Sequence, residues 1–335
     1  MRIGVLGAAR IAPAAMMKPA LIVDDVEVAA VAARDRRRAE VFAAKHGVPA
    51  VHDSYTGLMA DPTLDAVYIP LPNGLHGRWT LAALNAGKHV LCEKPFTANA
   101  AEAREVAAAA AGTGLVVMEA FHYRYHPVAH RMLDIVHSGE LGTVQRVETS
   151  MCFPLPKFSD IRYNFGLAGG ALMDAGCYAV HCLRLLSGGE PTVTSATALT
   201  LRRDARIDRA MTAQFTLAGG ATGQIRTSMW SRTLLSIRAR VVGERGTMTV
   251  DNYAAPHMPS RFTVTVDDER RRERFSSEST YTHQLRAFAA AVRGESTNLT
   301  PPQDSVATMT LIDDIYTRAG LPLRTQPHQA GPASR

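Results

Sequence analysis

One lysine lies where side chains that act on a bound ligand are commonly placed. Glu93-Lys94-Pro95 directly follows the apolar run His89–Cys92, which the sequence predicts to be a β-strand. The carboxyl ends of parallel strands form the ligand-binding edge of an open sheet, and Pro95 keeps Lys94 out of helical geometry. An amine fixed there could hydrogen-bond a substrate hydroxyl and help to remove its proton as a hydride leaves. The plainer interpretation is a surface lysine at a strand end, which is the default for an isolated lysine.

A second candidate lies in Gly169–His181, which begins with two glycines and continues as a predicted helix. In a helix, Asp174 and Tyr178 occupy positions i and i+4 and therefore share one face. A carboxylate and a phenol so placed could share a substrate hydroxyl, with Tyr178 relaying the proton and Asp174 orienting the group. Spacing alone favours the plainer interpretation, an aspartate near a helix start and a tyrosine ring packed in the core.

Two groups of side chains have the chemistry of metal ligands, three histidines at four-residue spacing and two cysteines beside a histidine: His122, His126 and His130, and Cys177, His181 and Cys182. Pro127 interrupts the histidine group, which argues against a single helical stripe. The cysteines are better interpreted as small buried apolar residues. We therefore expect no metal site.

The chain opens with a pattern typical of nucleotide binding. The predicted strand Ile3–Leu6 runs into Gly7-Ala8-Ala9-Arg10-Ile11-Ala12 and then a helix, the order in which backbone N–H groups and a helix N-terminus bind a pyrophosphate. In this G-x-A-x-x-A pattern Gly7 matches the fingerprint, Ala12 is an accepted variant, and Ala9 replaces the glycine that lets the phosphates come close. The hexapeptide alone would equally suit an ordinary tight turn. The strand–turn–helix order and the position at the start of the chain favour nucleotide binding at this turn, with Gly7, Ala9 and Ala12 at the fingerprint positions.

The end of the second predicted strand indicates which dinucleotide binds. NAD sites usually have an acidic residue there for the ribose 2′-hydroxyl, whereas NADP sites use an arginine. Val28–Ala33 is followed by Arg34, and Asp35 comes one residue late. A guanidinium matches a 2′-phosphate with two parallel hydrogen bonds. We predict that NADP is preferred over NAD through Arg34, with Arg38 as a second contact; Arg36 and Arg37 suit a solvated helix face.

These residues need elements that position them, and the first 121 residues alternate strand and helix patterns. The strand-like runs are Arg2–Leu6, Val26–Ala33, Ala66–Ile69, His89–Cys92 and Leu115–Met118. The helical stretches between them are Ile11–Ile22, Arg36–His46, Gly77–Ala86 and Ala98–Ala111. Repeated units of this length predict an α/β fold with an N-terminal doubly wound parallel sheet, a Rossmann domain over 1–121.

After Phe121 the pattern changes to that of an α+β domain. The sequence predicts helices at Val128–Ser138 and Gly170–Leu186 and a strand at Leu141–Phe153. Alternating residues from Thr192 to Val266 predict a large open, mainly antiparallel sheet with one face covered. We expect this substrate-binding and oligomerisation domain to span 122–324, with helix 304–319 packing back on the first domain and 325–335 forming a loose tail.

Composition excludes several classes of protein. The chain has 335 residues, 46% hydrophobic and 20% charged, which suits two folded domains and excludes a wholly disordered chain. Its four scattered cysteines argue against a disulfide scaffold and for a reducing, cytoplasmic location. A strand pattern begins directly after Met1, and no apolar run could span a bilayer, so we expect neither signal peptide nor membrane contact. The net charge of +6 is spread over interleaved basic and acidic residues, so we expect no nucleic-acid partner.

Five segments, taken together and in this order, resemble one protein family: Arg2–Ala12, Pro70–His76, Glu93–Pro95, Met118–Arg124 and Gly169–His181. The chain resembles the Gfo/Idh/MocA oxidoreductases, and within them the branch of dihydrodiol dehydrogenase, D-xylose dehydrogenase and glucose–fructose oxidoreductase. The resemblance covers most of the chain. It implies a Rossmann domain followed by a domain whose open sheet often joins a homodimer or homotetramer.

The resemblance also implies a reaction. It indicates hydride transfer between a nicotinamide cofactor and a sugar, polyol or trans-diol, with Lys94, Asp174 and Tyr178 as the catalytic residues. Many sugar and inositol dehydrogenases of the family have histidine where this chain has Tyr178, so the tyrosine argues against an inositol-type substrate. A non-catalytic NAD(P)-binding sensor on the same scaffold is the alternative. The presence of all three catalytic residues favours the enzyme, because a sensor needs no proton relay.

The remaining site residues are placed by the same resemblance. His122 and Phe153 are expected to line the substrate pocket together with Tyr178. Cofactor contacts are expected at Gly7, Arg10, Ile11, Arg34, Leu71, Pro72, Asn73, His76, Glu93, Lys94, Arg124 and Arg162.

Overall fold

The computed structural model describes residues 1–326, and the first part of the chain builds a parallel sheet. Its strands are β1 (Arg2–Leu6), β2 (Glu27–Ala32), β3 (Ala50–His52), β4 (Ala66–Ile69), β5 (His89–Cys92) and β6 (Val117–Glu119). They are hydrogen-bonded in the order β3-β2-β1-β4-β5-β6, and every neighbouring pair is parallel. All four residues of β4 are buried, as expected for a strand covered on both faces. The predicted doubly wound parallel sheet is confirmed.

Helices connect these strands, and several begin at a side chain suited to cap them. The helices are α1 (Lys18–Ala20), α2 (Arg36–His46), α3 (Tyr55–Met59), α4 (His76–Asn85) and α5 (Ala100–Ala110). Asp35, Ser54 and Asn99 precede α2, α3 and α5, and each accepts a hydrogen bond from a backbone N–H of the first turn. The Asp35 carboxylate is therefore engaged in capping α2. It lies one residue past the position from which an acidic residue would bind a ribose hydroxyl.

The strand order places a crevice at the carboxyl edge of the sheet. From β1 the chain proceeds outward to β2 and β3, and then returns to the other side of β1 with β4, β5 and β6. Ligands of open α/β sheets bind where the order reverses in this way. Gly7, Arg34, Leu71 and Lys94 each follow one of these strands, so the topology brings them to a single edge.

The second part of the chain builds a larger sheet. Its strands are β7 (Val144–Cys152), β8 (Thr192–Leu201), β9 (Asp204–Thr216), β10 (Thr222–Ser228), β11 (Ser236–Gly243), β12 (Gly246–Asp251), β13 (Arg261–Val266) and β14 (Glu269–Glu273). Their order is β14-β13-β12-β11-β7-β10-β9-β8, and only the β7–β10 pair is parallel. The helices α6 (Pro127–His137) and α7 (Cys177–Leu186) precede and follow β7, and α7 packs on β7, β10 and β11. The predicted mainly antiparallel sheet is confirmed.

Two C-terminal helices, α8 (Thr280–Val292) and α9 (Pro302–Arg318), return to the first sheet. Helix α8 packs on α1, and α9 packs on α5 as well as on β8 and α7. Asp313 in α9 accepts a hydrogen bond of 2.9 Å from the backbone N–H of Ala100. Arg104 in α5 donates one of 3.2 Å to the hydroxyl of Thr310. The helix expected at 304–319 thus bridges the two sheets.

Two predicted helices differ from their expected form beside the crevice. Ile11–Ile22 was expected to be one helix, but a π-helical turn at Pro13–Met17 leads into α1, which ends at Ala20. Gly170–Leu186 was also expected to be one helix, and a π-helical turn at Leu172–Gly176 precedes α7. Hydrophobic periodicity shows which face of a helix is buried but does not resolve a single wider turn. Such turns are frequent at functional sites.

The end of the described chain carries no regular secondary structure. Residues 321–326 follow α9 as an irregular segment in which the Arg324 side chain is fully buried. The predicted loose tail, 325–335, lies outside the described residues from 327 onward. Within residues 1–326, no helix is long and apolar enough to cross a membrane.

Candidate active site

Lys94 links the two sheets at the crevice. It leaves the carboxyl end of β5, and its Nζ donates a hydrogen bond of 3.0 Å to the main-chain oxygen of Asp174 in the π-helical turn before α7. The same nitrogen lies 5.1 Å from the centre of the Tyr178 ring. The Lys94–Pro95 peptide bond is cis. The ammonium group is therefore held beside the tyrosine by an uncharged main-chain acceptor.

The carboxylate of Asp174 points to different partners from those expected. Its Oδ1 lies 3.5 Å from Nε of Arg162, and its Oδ2 accepts a hydrogen bond of 3.4 Å from Asn73 Nδ2. No hydrogen bond within the described residues joins this carboxylate to Tyr178. Burial raises the pKa of Asp174 to about 6, although the charges of Lys94 and Arg162 oppose that rise. The side chain thus orients Arg162 and Asn73, while its main chain positions Lys94.

Tyr178 is buried among aromatic rings with its hydroxyl bonded to a histidine. Its ring packs edge-on to Phe121 at 5.5 Å, and its OH lies 2.9 Å from Nε2 of His122. Burial raises the pKa of Tyr178 well above its usual value. The phenol is therefore protonated near neutral pH and is able to donate to or exchange a proton with a ligand. The structure brings Tyr178, His122 and Lys94 together.

Beyond His122, the hydrogen bonds continue through residues that sequence reasoning missed. Nδ1 of His122 lies 2.8 Å from the hydroxyl of Thr280, which in turn lies 3.2 Å from Nδ1 of His257. The ring of Tyr281 lies 4.1 Å from that of His122. His257, Thr280 and Tyr281 have no motif of their own, and they lie far from His122 in the sequence. The packing of α8 against the segment after β6 brings Thr280 and Tyr281 to His122, and His257 reaches Thr280 from the segment between β12 and β13.

The turn after β1 fits a dinucleotide phosphate. Gly7 has a φ of +102°, and a Cβ there would come within 3.0 Å of Leu71 Cδ2. Within residues 1–326, the backbone N–H groups of Ala9, Arg10 and Ile11 donate no hydrogen bond. These three donors precede the π-helical turn, as in sites that bind a pyrophosphate. Replacement of the usual glycine by Ala9 has left the donors free.

Two arginines flank a tyrosine at the end of β2. Burial raises the pKa of Tyr55, and a hydrogen bond with the Arg34 backbone and the charges of Arg34 and Arg38 oppose that rise. The Tyr55 ring packs edge-on against Trp79 at 4.9 Å. Arg36 is already paired with Glu40 and Asp53. Among the described residues, neither Arg34 nor Arg38 has an ion-pair partner, so both fit a 2′-phosphate.

A chain of charges crosses the crevice. Arg10 in the glycine turn lies 3.2 Å from Oδ2 of Asp160, and Oδ1 of Asp160 lies 3.2 Å from Nη1 of Arg162. Arg162 continues to Asp174. The Arg10 side chain is 84% exposed, whereas that of Asp160 is 5% exposed. These ion pairs connect the loop before α7 to Arg10 in the nucleotide turn and to Asp174 in the π-helical turn.

Two predicted cofactor contacts are occupied by the protein itself. The ring of His76 is buried, and its two nitrogens lie 2.7 Å from the carbonyl oxygens of Pro95 and Leu71. Glu93 accepts a hydrogen bond of 2.8 Å from the buried hydroxyl of Tyr68. Both side chains position the backbone around the crevice, and their predicted contact with a cofactor stays a prediction.

The other predicted residues fall at different distances from this centre. Ile11 is 37% exposed at the nucleotide turn, whereas Ala12 is buried beneath it. Pro72 precedes the short 3-10 turn that carries Asn73. Phe153 packs with Tyr163 and Ala171 at the base of the loop before α7. Arg124 takes part in none of the hydrogen bonds or ion pairs described around Lys94 and Asp174, and its Nη1 is buried without a hydrogen-bond partner among residues 1–326. Its predicted cofactor contact stays a prediction.

Comparison with known proteins identifies the family of this chain. Residues 1–121 match the family model described as an oxidoreductase family with an NAD-binding Rossmann fold, and residues 129–249 match the GFO/IDH/MocA C-terminal domain. A D-xylose 1-dehydrogenase (NADP(+)) of Haloferax volcanii is 38% identical over 95% of this chain and 97% of its own. The chain belongs to the Gfo/Idh/MocA family. The predicted family and the predicted class, an oxidoreductase with a nicotinamide cofactor, are confirmed.

Further relatives include a diol dehydrogenase and a ketoreductase. A trans-1,2-dihydrobenzene-1,2-diol dehydrogenase of Oryctolagus cuniculus is 36% identical over 66% of each chain. The crystal structure of a 3-ketoreductase from Actinomadura kijaniata with NADP and TDP-benzene superposes with a TM-score of 0.86 at 28% identity, over 95% of this chain and 97% of that one.

Within residues 1–326, no group of three or more His, Cys, Asp or Glu side chains is arranged to hold a metal ion.

Proposed function

We propose that this family member is an NADP-dependent dehydrogenase or reductase acting on a hydroxyl-bearing carbon of a sugar, polyol or trans-diol. The observation that carries the proposal is the meeting of Lys94 and Tyr178 at the carboxyl edge of β5, 5.1 Å apart from nitrogen to ring centre. The nucleotide turn at Gly7 opens on the same edge. A proton-exchanging phenol and a fixed cation thus lie beside a site suited to a dinucleotide.

The two side chains divide the proton chemistry between them. Tyr178 exchanges the proton of the substrate hydroxyl, because its own OH is protonated and hydrogen-bonded on its far side to His122. Lys94 stabilises the oxygen as its charge changes, because the ammonium is held in place by the main chain of Asp174. A bound nicotinamide supplies or accepts the hydride. Solved structures of the Actinomadura kijaniata ketoreductase include variants of one lysine and of one tyrosine, the same two residue types.

The cofactor preference rests on the end of β2. Arg34 and Arg38 offer two unpaired guanidinium groups beside Tyr55, and Asp35 is engaged in capping α2. Charge-assisted bidentate hydrogen bonds favour a ligand with a 2′-phosphate over one with a hydroxyl. The xylose dehydrogenase relative is named for NADP(+), and the ketoreductase relative was crystallised with NADP.

We also propose a cytoplasmic homodimer or homotetramer joined through the eight-stranded sheet. Helices α7 and α9 cover one face of this sheet. Along β8, exposed residues alternate with more buried ones over much of the strand. One of the exposed residues is apolar, Leu199, which is 47% exposed. Light scattering after size-exclusion chromatography measures the mass in solution, and a monomer at micromolar concentration would contradict this assembly.

The enzyme is tested by a screen of NADP⁺ reduction over aldoses, polyols and trans-diols, with NAD⁺ as the paired control. Lys94→Ala is expected to bind NADPH as the wild type does and to lose turnover by a factor of about 10² or more. Unchanged turnover in that variant would refute the role of Lys94. Tight NADPH binding without turnover of any compound in the screen would favour the sensor instead.

A further inference from the structure

A chain of hydrogen bonds leads from Tyr178 away from the crevice. The hydroxyl of Tyr178 lies 2.9 Å from Nε2 of His122, and Nδ1 of His122 lies 2.8 Å from the hydroxyl of Thr280. That hydroxyl lies 3.2 Å from Nδ1 of His257. The first three residues are buried, with Thr280 fully so, whereas His257 is half-buried. The chain therefore runs from the core to the surface without a break.

The backbone settles which atoms in this chain donate. The N–H of Thr280 donates to Nδ1 of His257 at 3.3 Å, so that nitrogen is an acceptor and carries no proton. The Thr280 hydroxyl must then donate to His257, and its oxygen must accept from Nδ1–H of His122. Nε2 of His122 is left as the acceptor for the hydroxyl of Tyr178. Every member donates to the next, which is the arrangement that passes a proton outward.

Resting on the function proposed above, we propose that His122, Thr280 and His257 form a proton relay between Tyr178 and solvent. During oxidation the substrate hydroxyl gives its proton to Tyr178 as the hydride leaves its carbon for the oxidised nicotinamide. Tyr178 gives its own proton to Nε2 of His122, and Nδ1–H of His122 passes to the Thr280 oxygen. The former proton of Thr280 moves to Nδ1 of His257. The resulting imidazolium releases its Nε2 proton to water.

Burial explains why a relay is needed. Tyr178 and His122 are enclosed, with side chains near 6% and 5% exposure. Loss of the proton from Tyr178 alone, or gain of a proton by His122 alone, would leave a charge in a poorly solvated place, because burial raises the pKa of Tyr178 and lowers that of His122 to about 3. A concerted transfer leaves the net charge only on His257. Nε2 of His257 has no hydrogen-bond partner within residues 1–326 and is not enclosed.

The direction in which the relay donates depends on the protonation state of His257. With neutral His257 the donors point outward, which suits Tyr178 to receive a substrate proton. When Nδ1 of His257 is protonated, it no longer accepts from the N–H of Thr280, and the donors point inward for carbonyl reduction. Other ionisable groups also act on the relay. Lys94 acts on His122, and the Tyr281 ring lies beside both histidines. Besides burial, Tyr281, Glu93, Cys177 and Tyr253 all contribute to the raised pKa of Tyr178, and the pKa of His126 is lowered in part by His257.

A pair of substitutions at one position tests the relay. Thr280→Val keeps the shape of the side chain and removes the hydroxyl, and it is expected to lower kcat for oxidation by about tenfold or more and to raise its solvent deuterium isotope effect. Thr280→Ser restores the hydroxyl and is expected to recover most of that kcat. Thr282→Val is the matched control, since it removes another buried hydroxyl from α8 that lies outside the chain. KM for NADP⁺ should be unchanged in Thr282→Val.

A second variant tests the relay independently of whether Thr280→Val folds correctly. His257→Ala lies at the half-buried end of the chain and is expected to lose kcat at low buffer concentration and to regain it with added imidazole. If Thr280→Val and His257→Ala both keep the wild-type kcat and isotope effect while Lys94→Ala is inactive, the relay is overturned and the proposed function stands. If Lys94→Ala keeps its turnover, the proposed function itself fails.

Discussion

Lys94 binds the main-chain oxygen of Asp174, at 3.0 Å, and not its carboxylate. Asp174 therefore has two separate roles. Its carbonyl oxygen positions the ammonium group beside Tyr178, and its side chain lies between Arg162 and Asn73. A substitution that changes only the carboxylate should leave Lys94 in place, which makes the two roles separable by experiment.

Asp174→Asn is expected to lower kcat far less than Lys94→Ala, for which we expect a loss of about 10²-fold or more. The amide keeps the backbone acceptor of Lys94 and a hydrogen-bonding side chain, and it loses only the charge opposite Arg162. Steady-state kcat for both variants, with the same substrate and NADP⁺, measures the difference. Equal losses would show that the carboxylate itself takes part in the reaction.

Asp174 also gives stability a pH dependence of defined sign. Burial raises its pKa from 3.8 to about 6, against the opposing charges of Lys94 and Arg162. Between these two values the folded protein holds a proton that the unfolded chain has lost, so the free energy of unfolding falls as pH rises. The loss is on the order of 2–3 kcal/mol, complete above the folded pKa. Urea unfolding of wild type and Asp174→Asn at several pH values should therefore show a gap in favour of the variant that opens between about pH 4 and pH 6. Parallel pH profiles would contradict the raised pKa.

Arg34 is expected to determine the choice between NADP⁺ and NAD⁺. Arg34→Ala should raise KM for NADP⁺ by about ten- to a hundredfold, because a hydrogen bond between two charged groups is worth roughly 1.5–3 kcal/mol. KM for NAD⁺ should change little. Arg37→Ala is the control on the same segment, since the Arg37 side chain is exposed and it is the backbone N–H of this residue that donates to the Asp35 carboxylate. The prediction is wrong if both variants shift KM for NADP⁺ equally.

Gly7→Ala is expected to reduce NADPH affinity. The φ of +102° disfavours any side chain, and the new Cβ would press on Leu71 at 3.0 Å. Gly87 has a φ of +71° with open space around it, so Gly87→Ala carries a backbone cost of about 1 kcal/mol without a contact. Thermal unfolding and NADPH fluorescence titration should show stability losses in both variants. Only Gly7→Ala should lose affinity, and equal NADPH affinity in both would show that the Gly7 turn does not hold the cofactor.

The parts of the site that follow a strand directly could be predicted from the sequence. Gly7, Arg34 and Lys94 each come one or two residues after an apolar run, and the order of the runs places their ends at one edge. A local pattern was sufficient in these cases, since the strand itself determines where the next residue lies.

The remainder depends on contacts between distant segments. The relay joins His122 to Thr280 across 158 positions of the chain. No periodicity or motif marks Thr280 or His257. The main-chain bond of Lys94 to Asp174 was equally unpredictable, because side-chain types do not reveal which backbone oxygens a π-helical turn leaves accessible. These contacts depend on the packing of α8, of the segment between β12 and β13, and of the turn before α7.

Asp208 and Arg324 form a fully buried ion pair at 2.7 Å that holds the start of the π-helical turn before α7, with neither side chain exposed. Asp208 also accepts hydrogen bonds from the N–H of Leu172 at 2.7 Å and from the hydroxyl of Tyr316 at 3.0 Å. Arg324 donates to the carbonyl of Gly169 at 2.8 Å. A Cβ on Gly170 would clash with both members of the pair, which accounts for the second glycine of the motif.

Arg324→Met is therefore expected to destabilise the protein by about 3–5 kcal/mol, because it leaves Asp208 buried without a counter-charge. Arg206→Ala is the matched control, since Arg206 pairs with Asp204 at the surface, where an ion pair is worth about 0–1 kcal/mol. Urea unfolding at neutral pH compares the two. At a temperature where Arg324→Met remains folded, its kcat should still fall, because the turn that carries the Lys94 acceptor has lost its anchor at Gly169. A variant as stable and as active as Arg206→Ala would show that the pair does not position the site.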